Sequence, residues 1–182
     1  ALLKPGAGAS AGTQEQAAWA LGWLADGSEE RTARTASAGA MEMLMALLQP
    51  GISAATQKVA SQVLSCLVHG SEDRKGKIAS AGAVEVLVPL LKPGVSAGTQ
   101  EATACVLQQL TFGSEERTAK VASAGAIELL VAFLKPCAGA SVGMQEHAAG
   151  TLDNLAMGSD ERKTRIASTG AIELLVPLLK PG

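Results

Sequence analysis

The chain predicts an all-α solenoid, one helical unit repeated end to end. Three observations carry this expectation. The stretch SAGTQEQAAWALGWLADG, which begins at Ser10, recurs from Ser53, Ser96 and Ser141. Prolines at positions 5, 50, 93, 136 and 181 stand 45, 43, 43 and 45 residues apart, a period at which repeats stack into solenoids. Hydrophobic residues make up 47% of the 182, yet aromatics only 2%. The core must therefore be built from Ala, Leu, Val and Ile, whose small side chains suit closely stacked helices.

Each unit holds three helical patterns. The long one opens on Ser10, Ser53, Ser96 or Ser141, whose hydroxyls are placed to accept from orphan N–H groups of the first turn. It ends at Gly27, Gly70, Gly113 or Gly158, a residue type suited to a left-handed C-terminal cap. On a wheel of about 100° per residue, Gln14, Ala17, Ala18, Leu21, Leu24 and Ala25 share the predicted core face. A short helix follows, SEERTARTASAG in the first copy, with Ser28 as cap. Its Glu29 and Glu30 precede Arg31 and Arg34, an order that complements the helix dipole and predicts a solvated charged face. The third pattern, AMEMLMALLQPG in the first copy and AIELLVPLLKPG in the last, is apolar nearly all round and is expected to be the most buried. Pro50, Pro93, Pro136 and Pro181 stop it, and Pro89 and Pro177 inside it should bend the helix or open its last turn. An extra Ala-Gly in KPGAGAS and KPCAGAS should lengthen a loop only. The units so delimited, 1–50, 51–93, 94–136 and 137–182, form one expected array. It starts in mid-pattern without Met, so it reads as a fragment of something longer.

Composition narrows the function classes. A net charge of −2 and a pI near 5.7 leave no field to hold a polyphosphate, so no nucleic-acid partner is expected. The three widely spaced cysteines form no disulfide framework and suit a reducing compartment, which predicts an intracellular, cytoplasmic protein. No signal peptide or membrane-spanning apolar run is present, and no membrane partner is expected.

The informative variation lies opposite the core face of the long helix. There the copies read Gln16, Val59, Ala102, His147; then Trp19, Gln62, Cys105, Gly150; then Gly22, Ser65, Gln108, Asp153; then Trp23, Cys66, Gln109, Asn154; and last Asp26, His69, Phe112, Met157. A fixed core face beside a rewritten outward face is the pattern of a modular recognition surface. The candidate ligand-binding residues are Gln16, Trp19, Trp23, Asp26, Gln62, Cys66, His69, Cys105, Gln108, Gln109, Phe112, His147, Gly150, Asp153, Asn154 and Met157. Trp19, Trp23 and Phe112 are three of the four aromatics in the chain, and aromatics are enriched at binding hot spots. A structural alternative has the two Trp covering the end of the array.

The run GAIELLVPLLKPG followed by SAGTQEQAAWALGWLADGSEE resembles the armadillo repeat of eukaryotic scaffold proteins, in circularly permuted phase and over the whole chain. The resemblance implies a right-handed superhelix whose third helices, here the long ones, line a concave groove, and so places the variable stripe in that groove. Groove ladders of the importin-alpha type pair Trp with Asn four residues later. No unit here carries both, only Asn154 stands at the Asn position, and few acidic residues lie on the stripe. A receptor for nuclear-localisation signals is therefore not expected.

No phosphate loop, nucleophile motif or carboxylate pair breaks the repeat, which predicts a nonenzymatic protein without cofactors. Cys66 and His69, one turn apart, with Cys105 on the neighbouring helix, lack an obvious fourth ligand, so no metal is assigned. The expected function is a scaffold that binds an extended peptide or protein along the groove. The alternatives are a structural array that self-associates head to tail, or an adaptor segment of a larger signalling or ubiquitin-ligase protein. Head-to-tail association would run through Leu2 and Leu3 at one end and Leu174, Leu175, Leu178 and Leu179 at the other, because solenoid ends without polar caps expose what neighbours bury.

Overall fold

The computed structural model describes residues 8–136 and 139–180. In chain order the helices are α1 (Ala11–Ala25), α2 (Glu29–Ser37) and α3 (Ala40–Ala46), then α4 (Ala54–Val68), α5 (Glu72–Ser80) and α6 (Ala83–Leu87). They continue with α7 (Ala97–Thr111), α8 (Glu115–Ser123) and α9 (Ala126–Phe133), and close with α10 (Val142–Ala156), α11 (Asp160–Ser168) and α12 (Ala171–Leu175). No strand occurs among the described residues. None of their helices is long and apolar enough to cross a membrane.

Local chemistry sets the boundaries where the sequence placed them. Ser10, Ser53, Ser96 and Ser141 each accept a backbone N–H three residues on, at 3.0 to 3.2 Å. Ser28, Ser71, Ser114 and Ser159 do the same for the short helices. At the corner into each third helix stand Gly39, Gly82, Gly125 and Gly170, with φ between 79° and 86°. A Cβ makes that conformation costly, so glycine sets the sharp turn. Pro89 and Pro177 change the last turn, but by tightening it and not by opening it as expected. Their helices stop at Leu87 and Leu175 and tighten into 3₁₀ turns, Val88–Leu91 and Val176–Leu179, whereas α9, with Ala132 in the same place, stays α-helical through Phe133.

The four long helices lie side by side, α1 on α4, α4 on α7 and α7 on α10. α4, α7 and α10 are each underlain by the third helix of the preceding unit, as α3 lies against α4 and α9 against α10. Between them runs a dry seam that includes Leu44, Leu64, Leu87, Leu107, Ile127 and Leu130, all fully buried. The third helices are the buried layer in the middle of the stack, as expected. In the last unit they are not: Ile172, Val176 and Leu179 are exposed, because no described element packs beyond α12. Leu24 mirrors this at the other end. It is 59% exposed, whereas its equivalents Leu67, Leu110 and Leu155 are 0% exposed. Leu174 and Leu175 are half-buried, Leu178 is exposed, and Leu2 and Leu3 lie outside the described residues.

The solvated face predicted for the first short helix is present, since Glu29, Glu30, Arg31 and Arg34 are exposed, but it does not extend to every later copy. Arg74 and Arg162 are buried, because each guanidinium is the bolt of a unit boundary. Arg74 donates through Nε to the Leu67 carbonyl and through both terminal nitrogens to Glu29 of the preceding unit, at 2.6 and 3.1 Å. Arg162 repeats this with the Leu155 carbonyl and Glu115, whereas Arg117 reaches the Leu110 carbonyl through Nε and Glu72 through one terminal nitrogen only, at 2.6 Å. Bidentate charge-assisted pairs of this kind add geometric specificity to the apolar seam. Arg31 makes the same carbonyl contacts in the first unit, to Leu24 and Asp26.

Candidate functional site

The variable stripe runs across all four long helices, and its outer rim is open. Trp23, Phe112 and Met157 are 71%, 64% and 63% exposed. Gln16, Asp26, Cys66, His69 and Asp153 are exposed too. Trp19 is half-buried against the core, and its ring stacks on Trp23 with centroids 6.3 Å apart and planes at 23°. Trp23 covers little by itself, which does not favour a purely capping role. Phe112 carries the Lys75 ammonium over its ring, 5.4 Å from the centroid.

The inner part of the stripe faces the neighbouring units. Val59, Ala102 and Ser65, placed on the outward columns by the wheel, are buried. Asn154 is buried as well, its amide donating to the Gln108 carbonyl and to Thr111 Oγ1, both at 3.1 Å. Cys105 is half-buried with its sulfur 3.1 Å from Ser65 Oγ. Gln108, Gln109, His147 and Gly150 are half-buried, and the two glutamines pair with histidines of adjacent units. These side chains are reached from the next helix, which a wheel drawn for one helix does not show.

One cavity of about 430 Å³ draws its walls from all four long helices. Trp19 comes from α1, Gln62 and Cys66 from α4, Glu101 and Cys105 from α7, and His147 from α10. Gln62 Oε1 is buried beside it without a hydrogen-bond partner. Sequence reasoning passed over Lys58 and Glu101, which also line the cavity. They occupy the column next to the stripe, and their long side chains reach around the helix. Burial, with Asp26 and Cys105 adding to it, pushes the Cys66 thiol up, so it stays protonated near neutral pH and is no activated nucleophile. No group of three His, Cys, Asp or Glu among the described residues is placed to hold a metal ion.

No protein-family model and no curated protein matches the chain. Solved structures do. An engineered protein is 32% identical over 98% of this chain and 70% of its own, with a TM-score of 0.84. A designed armadillo repeat protein in complex with a (KR)4 peptide is 25% identical and covers 100% of this chain and 72% of its own, with a TM-score of 0.83. A third set, computationally designed armadillo repeat proteins for modular peptide recognition, is 27% identical over 94% of this chain and 70% of its own, with a TM-score of 0.81. Capped long helices in a side-by-side row, glycine corners, a buried third-helix layer and these likenesses agree: the chain belongs to the armadillo repeat proteins.

Proposed function

We propose that the stripe across α1, α4, α7 and α10 is a concave groove that binds an extended peptide or protein segment, without catalysis. The observation that carries this is the cavity walled by four helices in a row, with Trp19 of its lining stacked on the exposed Trp23. An extended chain laid across side-by-side helices meets side chains of each in turn, so contacts are distributed over the units. Relatives of the same architecture, one holding a (KR)4 peptide and one designed for modular peptide recognition, support the same use. The free thiols Cys66 and Cys105 suit an intracellular setting. Near-identity of the units outside the stripe suits a host that duplicates one module and rewrites its groove. The test is selection from a randomised peptide library displayed against the chain. Peptides that bind the wild type and lose binding to Trp23→Ala and Phe112→Ala are expected; a library that yields only binders indifferent to both substitutions contradicts the proposal.

Self-association is a second reading, favoured by the two ends of the stack. Exposed Ile172, Val176, Leu178 and Leu179 form one half of a unit boundary, and exposed Leu24 with Arg31 the other. Asp160 stands where Glu29, Glu72 and Glu115 pair forward, and here its carboxylate pairs with Lys163 of its own helix. A mass above that of one chain, rising with concentration in light scattering and lost in Leu179→Lys, is expected. A concentration-independent single-chain mass rules it out.

A further inference from the structure

Gln108 and Gln109 are neighbours on α7, yet they reach across opposite unit boundaries. Gln109 Nε2 lies 2.9 Å from Nδ1 of His69, the residue that ends α4. Gln108 Oε1 lies 2.9 Å from Nδ1 of His147 on α10. An amide nitrogen can only donate and an amide oxygen can only accept, so the two pairs set opposite tautomers. His69 Nδ1 accepts, which puts its ring proton on Nε2. His147 Nδ1 donates, which leaves its lone pair on Nε2. Gly150 makes the second pair possible, because a Cβ there would lie 2.0 Å from Gln108 Nε2. Asn154 then holds α10 to α7 at the Gln108 carbonyl.

The free ring nitrogens therefore differ in polarity and sit at two ends of one surface. His147 lines the four-helix cavity, and His69 lines a second depression with Asp26 and Glu29. Cys66 lines both. An extended main chain offers both carbonyl acceptors and N–H donors along its length. We infer that His69 and His147 read the main chain of an extended ligand with opposite polarity. His69 Nε2–H donates to a ligand carbonyl, and His147 Nε2 accepts a ligand N–H. Gln109 and Gln108 are their positioning residues. The inference rests on the peptide-binding function proposed above.

The test begins without any ligand. Long-range ¹⁵N–¹H correlation spectra of the imidazole rings, recorded on the full chain above the ordinary imidazole pKa, should show the proton on Nε2 in His69 and on Nδ1 in His147. The same tautomer in both, or averaged tautomers in either, overturns the positioning. One substitution made at the two glutamines then gives opposite results. A carboxylate only accepts, so Gln108→Glu leaves His147 as it was, whereas Gln109→Glu moves the His69 proton to Nδ1. If neither substitution alters His69, the assignment fails. For peptides selected from the randomised library, His69→Ala or His147→Ala should weaken binding about tenfold or somewhat less, the worth of one net hydrogen bond. Unchanged affinity for both variants overturns the main-chain role and leaves peptide binding standing. A library without binders overturns both the main-chain role and the proposed function, while the spectra still decide the tautomers.

Discussion

Replacing Leu67 by Ala should cost far more stability than replacing Leu24, although the two occupy the same place in consecutive units. Leu67 is 0% exposed at the boundary between the first and second units, whereas Leu24 is 59% exposed. Truncating a fully buried Leu loses the transfer free energy of the removed carbons and leaves a cavity, together about 2 to 5 kcal/mol. At Leu24 most of that surface already meets water, so the cost should stay within about 1 kcal/mol. For a chain of this size about 1 kcal/mol moves the melting temperature by roughly 2 to 4 °C. Leu67→Ala should therefore melt about 5 to 20 °C earlier, and Leu24→Ala within a few degrees of the wild type. The main-chain bonds from Arg74 and Arg31 to these positions survive both changes, so the comparison isolates side-chain packing. Thermal unfolding followed by far-UV circular dichroism reads both variants. Equal losses would refute the packing account, because Leu24 would then be covered by something other than a neighbouring unit.

The arginine bolts give two further expectations. Arg74→Ala strips donors from the buried Leu67 carbonyl and from Glu29 and should cost about 2 kcal/mol, whereas Arg31→Ala, exposed and bonded to main-chain carbonyls of Leu24 and Asp26, should cost clearly less in the same urea titration. Acid should loosen the boundaries. Glu29 and Glu115 are held below the ordinary glutamate value of 4.5 by hydrogen bonds from Arg74 and Arg162, and Glu72 by Lys75 and then Arg117. A carboxyl that holds its proton less readily when folded stabilises the fold above its unfolded pKa, and that contribution fades as pH falls through the lower folded value. The melting temperature should thus drop with pH below 4.5, and less steeply in Arg74→Ala, which has already lost one pair. Gly125→Ala should cost about 1 to 2 kcal/mol from backbone strain alone, since φ there is 86° and no atom lies within 4 Å of the added Cβ. A neutral result in chemical denaturation would place that corner in another conformation.

Helix existence and caps were legible because each rests on residues within a few positions of one another, as Ser53 with Thr56. Proline marked where the third helices change at Val88 and Val176, though not that they tighten into 3₁₀ turns. The parts that were not legible depend on how one unit is set against the next. Arg74 has the place in its unit that exposed Arg31 has in the first, and only the stacking brings Glu29, 45 residues away, beside it. Asn154, Val59 and Ala102 sat on the outward side of their own wheels, yet the adjoining helix covers them. Gln108 and Gln109 read as two similar ligand contacts, and only the stacking register shows them turned to opposite neighbours. A wheel assigns a face, whereas the stack decides which faces stay open.

The central claim, that the stripe is a binding surface and not merely the outside of a core, meets its most direct test in Trp23→Ala, measured for affinity and for melting on the same preparation. Trp23 is 71% exposed and stacks on Trp19, so truncation should cost about 1 kcal/mol of stability or less. As a hot-spot anchor it should cost about 2 kcal/mol or more of binding to a library-selected peptide, roughly a thirtyfold loss of affinity. A variant that melts within a few degrees of the wild type and binds the peptide about thirtyfold more weakly is the predicted outcome. A variant that binds the peptide normally but melts much earlier would contradict the account and make Trp23 part of the first unit's core.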